Sequence, residues 1–144
     1  MRLSLFAILV ICCNVEVIFA DDVVTPSRFT RAGHTTDTLK TVQQRLEEKK
    51  AVLIDVREKN EWDAGHLRDA NLVPLSAIRA DKLTEQMKKN LPKGKPIYCH
   101  CRSGGRVLTA SKLLRAQGYD IRPLAAGFST LVAEGFTKAT EPKK

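Results

Sequence analysis

Two cysteines stand one residue apart in the segment YCHCRSGGRV, residues 98–107, and two arginines enclose the Ser-Gly-Gly run that follows them. Cys99, His100 and Cys101 bring two thiols and an imidazole together. Thiols, imidazole and guanidinium groups at this spacing suit four kinds of chemistry. These are metal binding, thiol–disulfide exchange, phosphoryl transfer through a cysteine, and another reaction of a charged thiol.

The glycine-containing loop predicts that Cys101 is the nucleophile. Gly104 and Gly105 permit tight turns that other residues resist. The amides of such a loop, running into a helix N-terminus, converge on one point and favour negative charge there. The thiolate, which is the nucleophilic form of cysteine, is therefore stabilised at the mouth of the loop. We predict that the substrate-binding part of the loop consists of the next five residues, Arg102, Ser103, Gly104, Gly105 and Arg106.

The spacing disfavours a metal site and a structural disulfide. A metal site needs three or four ligands, and His34 and His66 are isolated in the sequence. Residues two apart on a strand face the same way, so Cys99 and Cys101 would have parallel side chains with α-carbons about 6.6 Å apart. That separation is near the upper limit for a disulfide. We expect Cys99 to be a packed strand residue, with a resolving thiol as the alternative, and His100 to face away from Cys101.

The first 20 residues have the pattern of a signal peptide. Arg2 precedes the apolar run LSLFAILVICC, and Ala20 offers a small residue before a polar start. We predict export with cleavage after residue 20, to the periplasm or outside the cell, and an uncleaved amphipathic anchor is the alternative. Cleavage removes two of the four cysteines and leaves Cys99 and Cys101.

The composition narrows the classes of partner. The chain of 144 residues carries a net charge of +8, and loss of Arg2 with Glu16 leaves that value unchanged. The remaining length suits one domain with its own hydrophobic core. The basic balance favours small anionic ligands. No basic run is interleaved with aromatic residues, so we expect no nucleic-acid partner, and no membrane contact after signal cleavage.

Short apolar runs alternate with helical patterns along the chain. The predicted strands cover 51–56, 70–75, 96–101 and 119–124, and the predicted helices begin at Thr36 or Asp37 and at residues 58, 83, 104 and 127. This alternation predicts an α/β fold with a mostly parallel sheet. Ligands of such sheets bind at the carboxyl ends of strands, where Cys101 stands. Residues 21–35 are a lead-in segment, and residues 138–144 a polar tail.

Four spaced motifs carry a resemblance to a known family. They are LIDVRE (53–58), EWDAGHLRDANLVPL (61–75), YCHCRSGGR (98–106) and GYDIRPLAAGF (118–128). The chain from about residue 36 to 136 resembles a single-domain rhodanese, a sulfurtransferase that carries sulfur as a cysteine persulfide. It departs from the family at Val107, where many relatives have serine, and at Leu131, where tryptophan is common. Neither change removes the nucleophile.

The resemblance implies both the fold and the chemistry. It implies a small doubly wound, mostly parallel sheet flanked by helices on both faces, within residues 36–137, and no metal or organic cofactor. It implies Cys101 as the catalytic residue, with Asp55 and Arg57 in support. The implied partners are a small anionic sulfur donor, thiosulfate or polysulfide, and an acceptor that is a thiol or, in an assay, cyanide. Arg106 is expected to brace the loop through an acidic side chain such as Asp55 or Glu58.

Loop length separates sulfur transfer from phosphoryl transfer. Four residues separate Cys101 from Arg106, whereas cysteine phosphatases place one residue more between the two. The shorter loop fits a terminal sulfur atom better than a phosphoryl group. Two other functions remain as alternatives: a rhodanese fold that binds without catalysis, and a thiol–disulfide redox protein that uses Cys99 and Cys101.

Overall fold

The computed structural model describes residues 28–30 and 32–140. The predicted signal peptide, most of the lead-in segment and the last four residues of the polar tail lie outside these ranges. No helix in the described ranges is long and apolar enough to cross a membrane.

Four parallel strands form the sheet at the centre of the domain. They are β1 (Val52–Asp55), β2 (Ala70–Leu72), β3 (Ile97–His100) and β4 (Ile121–Pro123). Their order in the sheet is β2-β1-β3-β4, and every neighbouring pair is parallel. Each strand lies within one of the four predicted segments, so the predicted α/β class with a mostly parallel sheet is confirmed.

In the part of the chain that the structure describes, six helices connect and cover the strands. They are α1 (Leu39–Glu47), α2 (Lys59–Asp63), α3 (Leu75–Arg79), α4 (Glu85–Lys89), α5 (Arg106–Ala116) and α6 (Phe128–Ala133). The short helix α3 was not predicted, because it follows directly from Pro74 at the end of an apolar run. Thr38 caps α1 by accepting a hydrogen bond from the Thr41 amide. The predicted cap at Thr36 or Asp37 was wrong, because the Asp37 carboxylate binds three other side chains.

Alternation along the strands divides the core into two faces. From β3 and the residue after it, Ile97, Cys99 and Cys101 pack on one face, together with side chains from α3 and α5. Tyr98 packs on the opposite face with side chains from α1, α2 and α6. Helices therefore flank both faces, as expected. Burial of each large aliphatic side chain in these two layers stabilises the fold by about 1.5–3 kcal/mol.

Residues just before and just after the predicted domain, 36–137, form backbone hydrogen bonds with it. Phe29 and Thr35 form an antiparallel bridge, and the Thr35 amide donates to the Pro123 carbonyl. At the other end, Leu67 forms an antiparallel bridge with Lys138. Such contacts leave no periodic pattern of side chains in the sequence.

Asp37 joins the segment before α1 to two strands. Its Oδ2 atom accepts hydrogen bonds from the Tyr98 hydroxyl at 2.6 Å, from Arg122 at 2.9 Å and from Arg45 at 3.0 Å. Burial raises the pKa of the Asp37 carboxyl, but the hydrogen bonds from Tyr98 and Arg122 outweigh it and hold this pKa below its ordinary value. The ionised carboxylate is therefore part of the folded structure.

Replacing Asp37 with alanine is expected to lower the free energy of unfolding by about 2–3 kcal/mol, because it leaves the buried Tyr98 hydroxyl without its acceptor and removes one of the two carboxylates that bind the Arg122 guanidinium. Urea denaturation at neutral pH measures the loss. The difference from wild type should shrink as the pH falls below 3.8, the ordinary pKa of the carboxyl, since protonation then removes the same interaction. Asp69→Ala, which breaks an ion pair whose side chains are 64% and 60% exposed, is the control and should change little. Equal losses in the two variants would contradict the assignment.

Candidate active site

Cys101 lies at the carboxyl end of β3, where the parallel sheet presents its strand ends. The strand ends at His100 and α5 begins at Arg106, so residues 101–105 form the connecting loop. Cys101 is 1% exposed, and the Gly104 amide donates a hydrogen bond to its Sγ atom at 3.2 Å. A backbone amide that points at the sulfur stabilises negative charge there, as the sequence predicted for this loop.

Two glycines allow a second turn to press against the cysteine loop. Gly104 has a φ of +83°, and a Cβ atom there would lie 2.4 Å from the Ala125 carbonyl oxygen. A Cβ atom on Gly127 would lie 1.9 Å from the Arg102 carbonyl oxygen. The two loops are therefore in backbone contact, which only glycine permits at these two positions. Sequence reasoning missed Gly127, although the quoted motif GYDIRPLAAGF contains it.

The same turn also closes on Cys101 itself. The Phe128 amide donates to the Cys101 carbonyl at 2.9 Å, and the Leu124 amide donates to the Cys99 carbonyl, also at 2.9 Å. The segment after β4 thus continues the hydrogen bonding of the sheet past the end of β3. The backbone on both sides of Cys101 is held in place.

Arg106 is braced by an acidic side chain, as expected, but the predicted partner was wrong. It forms a two-point ion pair with Glu61 on α2, at 2.6 Å and 2.7 Å. Asp55 is engaged by Arg57, and Glu58 accepts hydrogen bonds from the Ser76 hydroxyl and amide. The two carboxylates that the sequence analysis considered, Asp55 and Glu58, therefore bind other partners.

The Arg106–Glu61 pair shifts the pKa of both groups. The hydrogen bonds from Arg106 lower the pKa of Glu61 from 4.5 to about 2. The pKa of Arg106 is raised, first by its hydrogen bond to Glu61, and further by its interaction with Cys101. Arg106 thus interacts with both the Glu61 carboxylate and Cys101.

Asp55 and Arg57 form a buried ion pair at the end of the neighbouring strand β1. The Arg57 guanidinium donates to Asp55 Oδ2 at 2.7 Å and to the Gly65 carbonyl at 2.9 Å. It also lies over the Phe128 ring, 4.2 Å from the ring centre. Asp55 therefore orients Arg57, and Arg57 supports one wall of the site.

A cavity of about 240 Å³ borders the loop. Its lining consists of Arg57, Glu61, Ala64, Arg102, Phe128 and Ser129. Arg102 and Ser103 are exposed, whereas Gly104 is buried. A larger cavity of about 450 Å³ includes Val52, at the first residue of β1 and so at the opposite edge of the sheet. We assign the site to the smaller cavity, because it shares Arg102 with the cysteine loop.

Cys99 and His100 are packed residues in this structure. Cys99 is fully buried, and burial raises the pKa of its thiol far above the ordinary range. His100 is also fully buried, and burial lowers its pKa although Asp55 lies 3.6 Å away. A thiol that resists ionisation does not favour the redox-pair alternative. No group of three or more potential ligands in the described ranges is arranged to hold a metal ion.

Substituting Glu61 with glutamine is expected to lower the free energy of unfolding by about 1.5–3 kcal/mol, because Arg106 loses a charged acceptor. The carboxyl pKa is depressed in the folded state, so the pair stabilises fully above pH 4.5 and loses its effect as the pH falls toward about 2. The wild-type and variant stabilities should converge over that interval in denaturation curves. Glu85→Gln breaks an ion pair of more exposed side chains and should show no comparable loss at neutral pH. A difference that persists unchanged at pH 2 would rule out the charge as its cause.

Comparison with known proteins places this site in a family. The family model described as Rhodanese-like domain matches residues 38–134. An uncharacterized protein of Bacillus subtilis (strain 168), YqhL, is 38% identical over 81 residues, which cover 56% of this chain and 60% of that protein. A putative mitochondrial thiosulfate sulfurtransferase of Schizosaccharomyces pombe is 38% identical over 79 residues, which cover 50% of this chain and 56% of that one. The chain therefore spans less than two thirds of either relative.

A solved structure shares the architecture. The human single-domain sulfurtransferase superposes with a TM-score of 0.57 and 26% identity, over 69% of this chain and 96% of that one. The family match covers the sheet and all six helices, including the cysteine loop. This chain belongs to the rhodanese-like domain family.

Proposed function

We propose that the chain is a sulfurtransferase that carries sulfane sulfur as a persulfide on Cys101. The observation that carries the proposal is the hydrogen bond from the Gly104 amide to Cys101 Sγ, at the base of a loop closed by backbone contact. Membership of the rhodanese-like family and the resemblance to named sulfurtransferases support it.

The first half of the exchange loads the cysteine. The Cys101 thiolate attacks the outer, sulfane sulfur of a donor such as thiosulfate. A new sulfur–sulfur bond forms, the donor's own sulfur–sulfur bond breaks, and sulfite leaves with the electron pair. The terminal sulfur of the persulfide carries the negative charge and lies within the loop, where backbone amides and the nearby Arg106 stabilise it.

The second half of the exchange unloads the sulfur. A thiolate acceptor, or cyanide in an assay, attacks the terminal sulfur and takes it, and the Cys101 thiolate is regenerated. No electrons are gained or lost overall, so no redox cofactor takes part. The first product leaves before the acceptor reacts, which is the order of a covalent intermediate of this kind.

The charges around the cavity suit a small anionic donor. Arg102 is exposed at its rim, and Arg57 forms part of its lining beside Phe128. A cavity of about 240 Å³ admits a molecule of thiosulfate or polysulfide size. The loop residues Ser103, Gly104 and Gly105 would bind the transferred sulfur through their amides. Arg106 would bind it less directly, because Glu61 holds its guanidinium.

We also propose that residues 1–20 direct export and that the mature protein is periplasmic or secreted. The support is the apolar run after Arg2 and the small residue Ala20 before Asp21. Mass spectrometry of the protein recovered from producing cells should find an N-terminus at Asp21. Recovery of the intact N-terminus at Met1 would overturn the cleavage.

Intact-protein mass spectrometry after exposure to thiosulfate tests the proposed chemistry. The reduced wild-type chain is expected to gain the mass of one sulfur atom, and cyanide should remove it, because the persulfide terminal sulfur is open to attack. Cys101→Ser should abolish the gain. Cys99→Ser is the matched control and should retain it, since the buried Cys99 thiol takes no part.

Other results would favour the alternatives. If the reduced wild type gains no sulfur from thiosulfate or from polysulfide, the proposed sulfurtransferase activity is overturned and a binding module is favoured. Loss of two hydrogens that requires both Cys99 and Cys101 would indicate a redox pair instead.

A further inference from the structure

A histidine outside the family-matched region touches the cysteine loop. His34 Nε2 lies 2.8 Å from the Gly104 carbonyl oxygen, although the two residues are 70 positions apart in the chain. The family match begins at residue 38, so it does not include His34. Gly104 is also the residue whose amide donates to Cys101 Sγ. His34 therefore contacts the loop residue whose amide donates to the sulfur.

The segment that carries His34 is attached to the domain at several points. Within it, the Thr30 amide donates to the His34 carbonyl at 2.6 Å, and the His34 amide donates to the Thr30 hydroxyl at 3.1 Å. Thr35 pairs with Pro123 of β4, as described above. The Arg115 guanidinium of α5 lies over the Phe29 ring, 4.1 Å from its centre. The segment that carries the imidazole is thus attached to β4 and to α5.

The contact between His34 Nε2 and the Gly104 carbonyl shows which ring nitrogen carries a hydrogen. A carbonyl oxygen can only accept, so Nε2 of His34 carries the hydrogen and donates it to Gly104. The neutral tautomer with hydrogen on Nε2 and the imidazolium both provide that donor. The interaction therefore does not depend on the charge of His34.

Anchoring this oxygen also sets the direction of an amide. The peptide bond between Gly104 and Gly105 is trans, like every peptide bond described, so its C=O and N–H point in opposite directions. Glycine on both sides makes this peptide freer to turn over than one between residues with side chains. A hydrogen bond to the Gly104 oxygen therefore holds this peptide in one orientation and restricts rotation at Gly104, whose own N–H donates to Cys101 Sγ.

We propose that His34 is a positioning residue of the Cys101 loop: by holding the Gly104 carbonyl, it restricts rotation of the Gly104 backbone, whose own amide donates to the sulfur. The part that concerns the persulfide rests on the proposed sulfurtransferase function. The part that concerns the thiolate does not, because it applies to any reaction of Cys101.

The test follows the alkylation of Cys101 by iodoacetamide as a function of pH, in the full chain, with peptide mass spectrometry to isolate this cysteine. His34→Leu removes the donor. It is expected to move the pH midpoint of alkylation upward and to slow the reaction below the midpoint about two- to tenfold, which is the effect of one hydrogen bond. His34→Gln keeps an N–H donor of similar reach and should restore most of the wild-type rate.

Two further variants separate positioning from general stability. His34→Asn keeps a polar side chain that is too short to reach the carbonyl, so it should behave like His34→Leu and serves in its place if the leucine variant does not fold. Thr30→Val weakens the turn that contains His34 but retains the imidazole, and its midpoint should match that of wild type. Cys99, His100 and Arg106, which are ionisable and interact with Cys101, are the same in all variants.

The results distinguish the two proposals. A folded His34→Leu or His34→Asn variant with an unchanged midpoint would overturn the role of His34, whatever its thermal stability. A glutamine variant as slow as the leucine variant would overturn it as well. A midpoint that shifts as expected in a protein that gains no sulfur from thiosulfate would support His34 as a positioning residue and overturn only the sulfurtransferase function.

Discussion

The site depends on the backbone contact between two loops that leaves no room for side chains. Gly104 lies against Ala125, and Gly127 lies against Arg102, so closely that a Cβ atom on either glycine would clash with the backbone of the other loop. This contact holds the cysteine loop closed at the carboxyl edge of the sheet and directs the Gly104 amide at Cys101. A substitution at either glycine must move backbone rather than a flexible side chain, so the geometry at the sulfur would change with it.

Charged side chains that follow β1 and lie on α2 support this loop. The Arg57–Asp55 pair comes from the end of β1, and the Glu61–Arg106 pair links α2 to the first residue of α5. Buried ion pairs contribute little net stability on average, because desolvation offsets the attraction. Their value here is geometric: each guanidinium has two or more fixed acceptors, so the positive charge near Cys101 has a defined position.

The segment before α1 belongs to the same structure although it precedes the region matched to the family. Asp37 accepts hydrogen bonds from Tyr98 of β3 and Arg122 of β4, and His34 reaches the cysteine loop. The segment therefore touches the sheet beneath the site and the loop that forms it. This dual attachment connects the stability of the N-terminal segment to the geometry at Cys101.

The sequence by itself determined the fold class, the positions of the four strands and the candidate nucleophile. Apolar runs, helical periodicity and the glycine loop after β3 are local patterns, and the alternation of strand and helix predicts a parallel sheet. Only the tertiary structure decided that Glu61 pairs with Arg106, that Gly127 packs on Arg102 and that His34 binds Gly104. These contacts join residues far apart in the chain, and they depend on which elements become neighbours and on which partners, such as Asp55, are already engaged. The spacing of residues along the chain predicts neither which elements become neighbours nor which partners are already engaged.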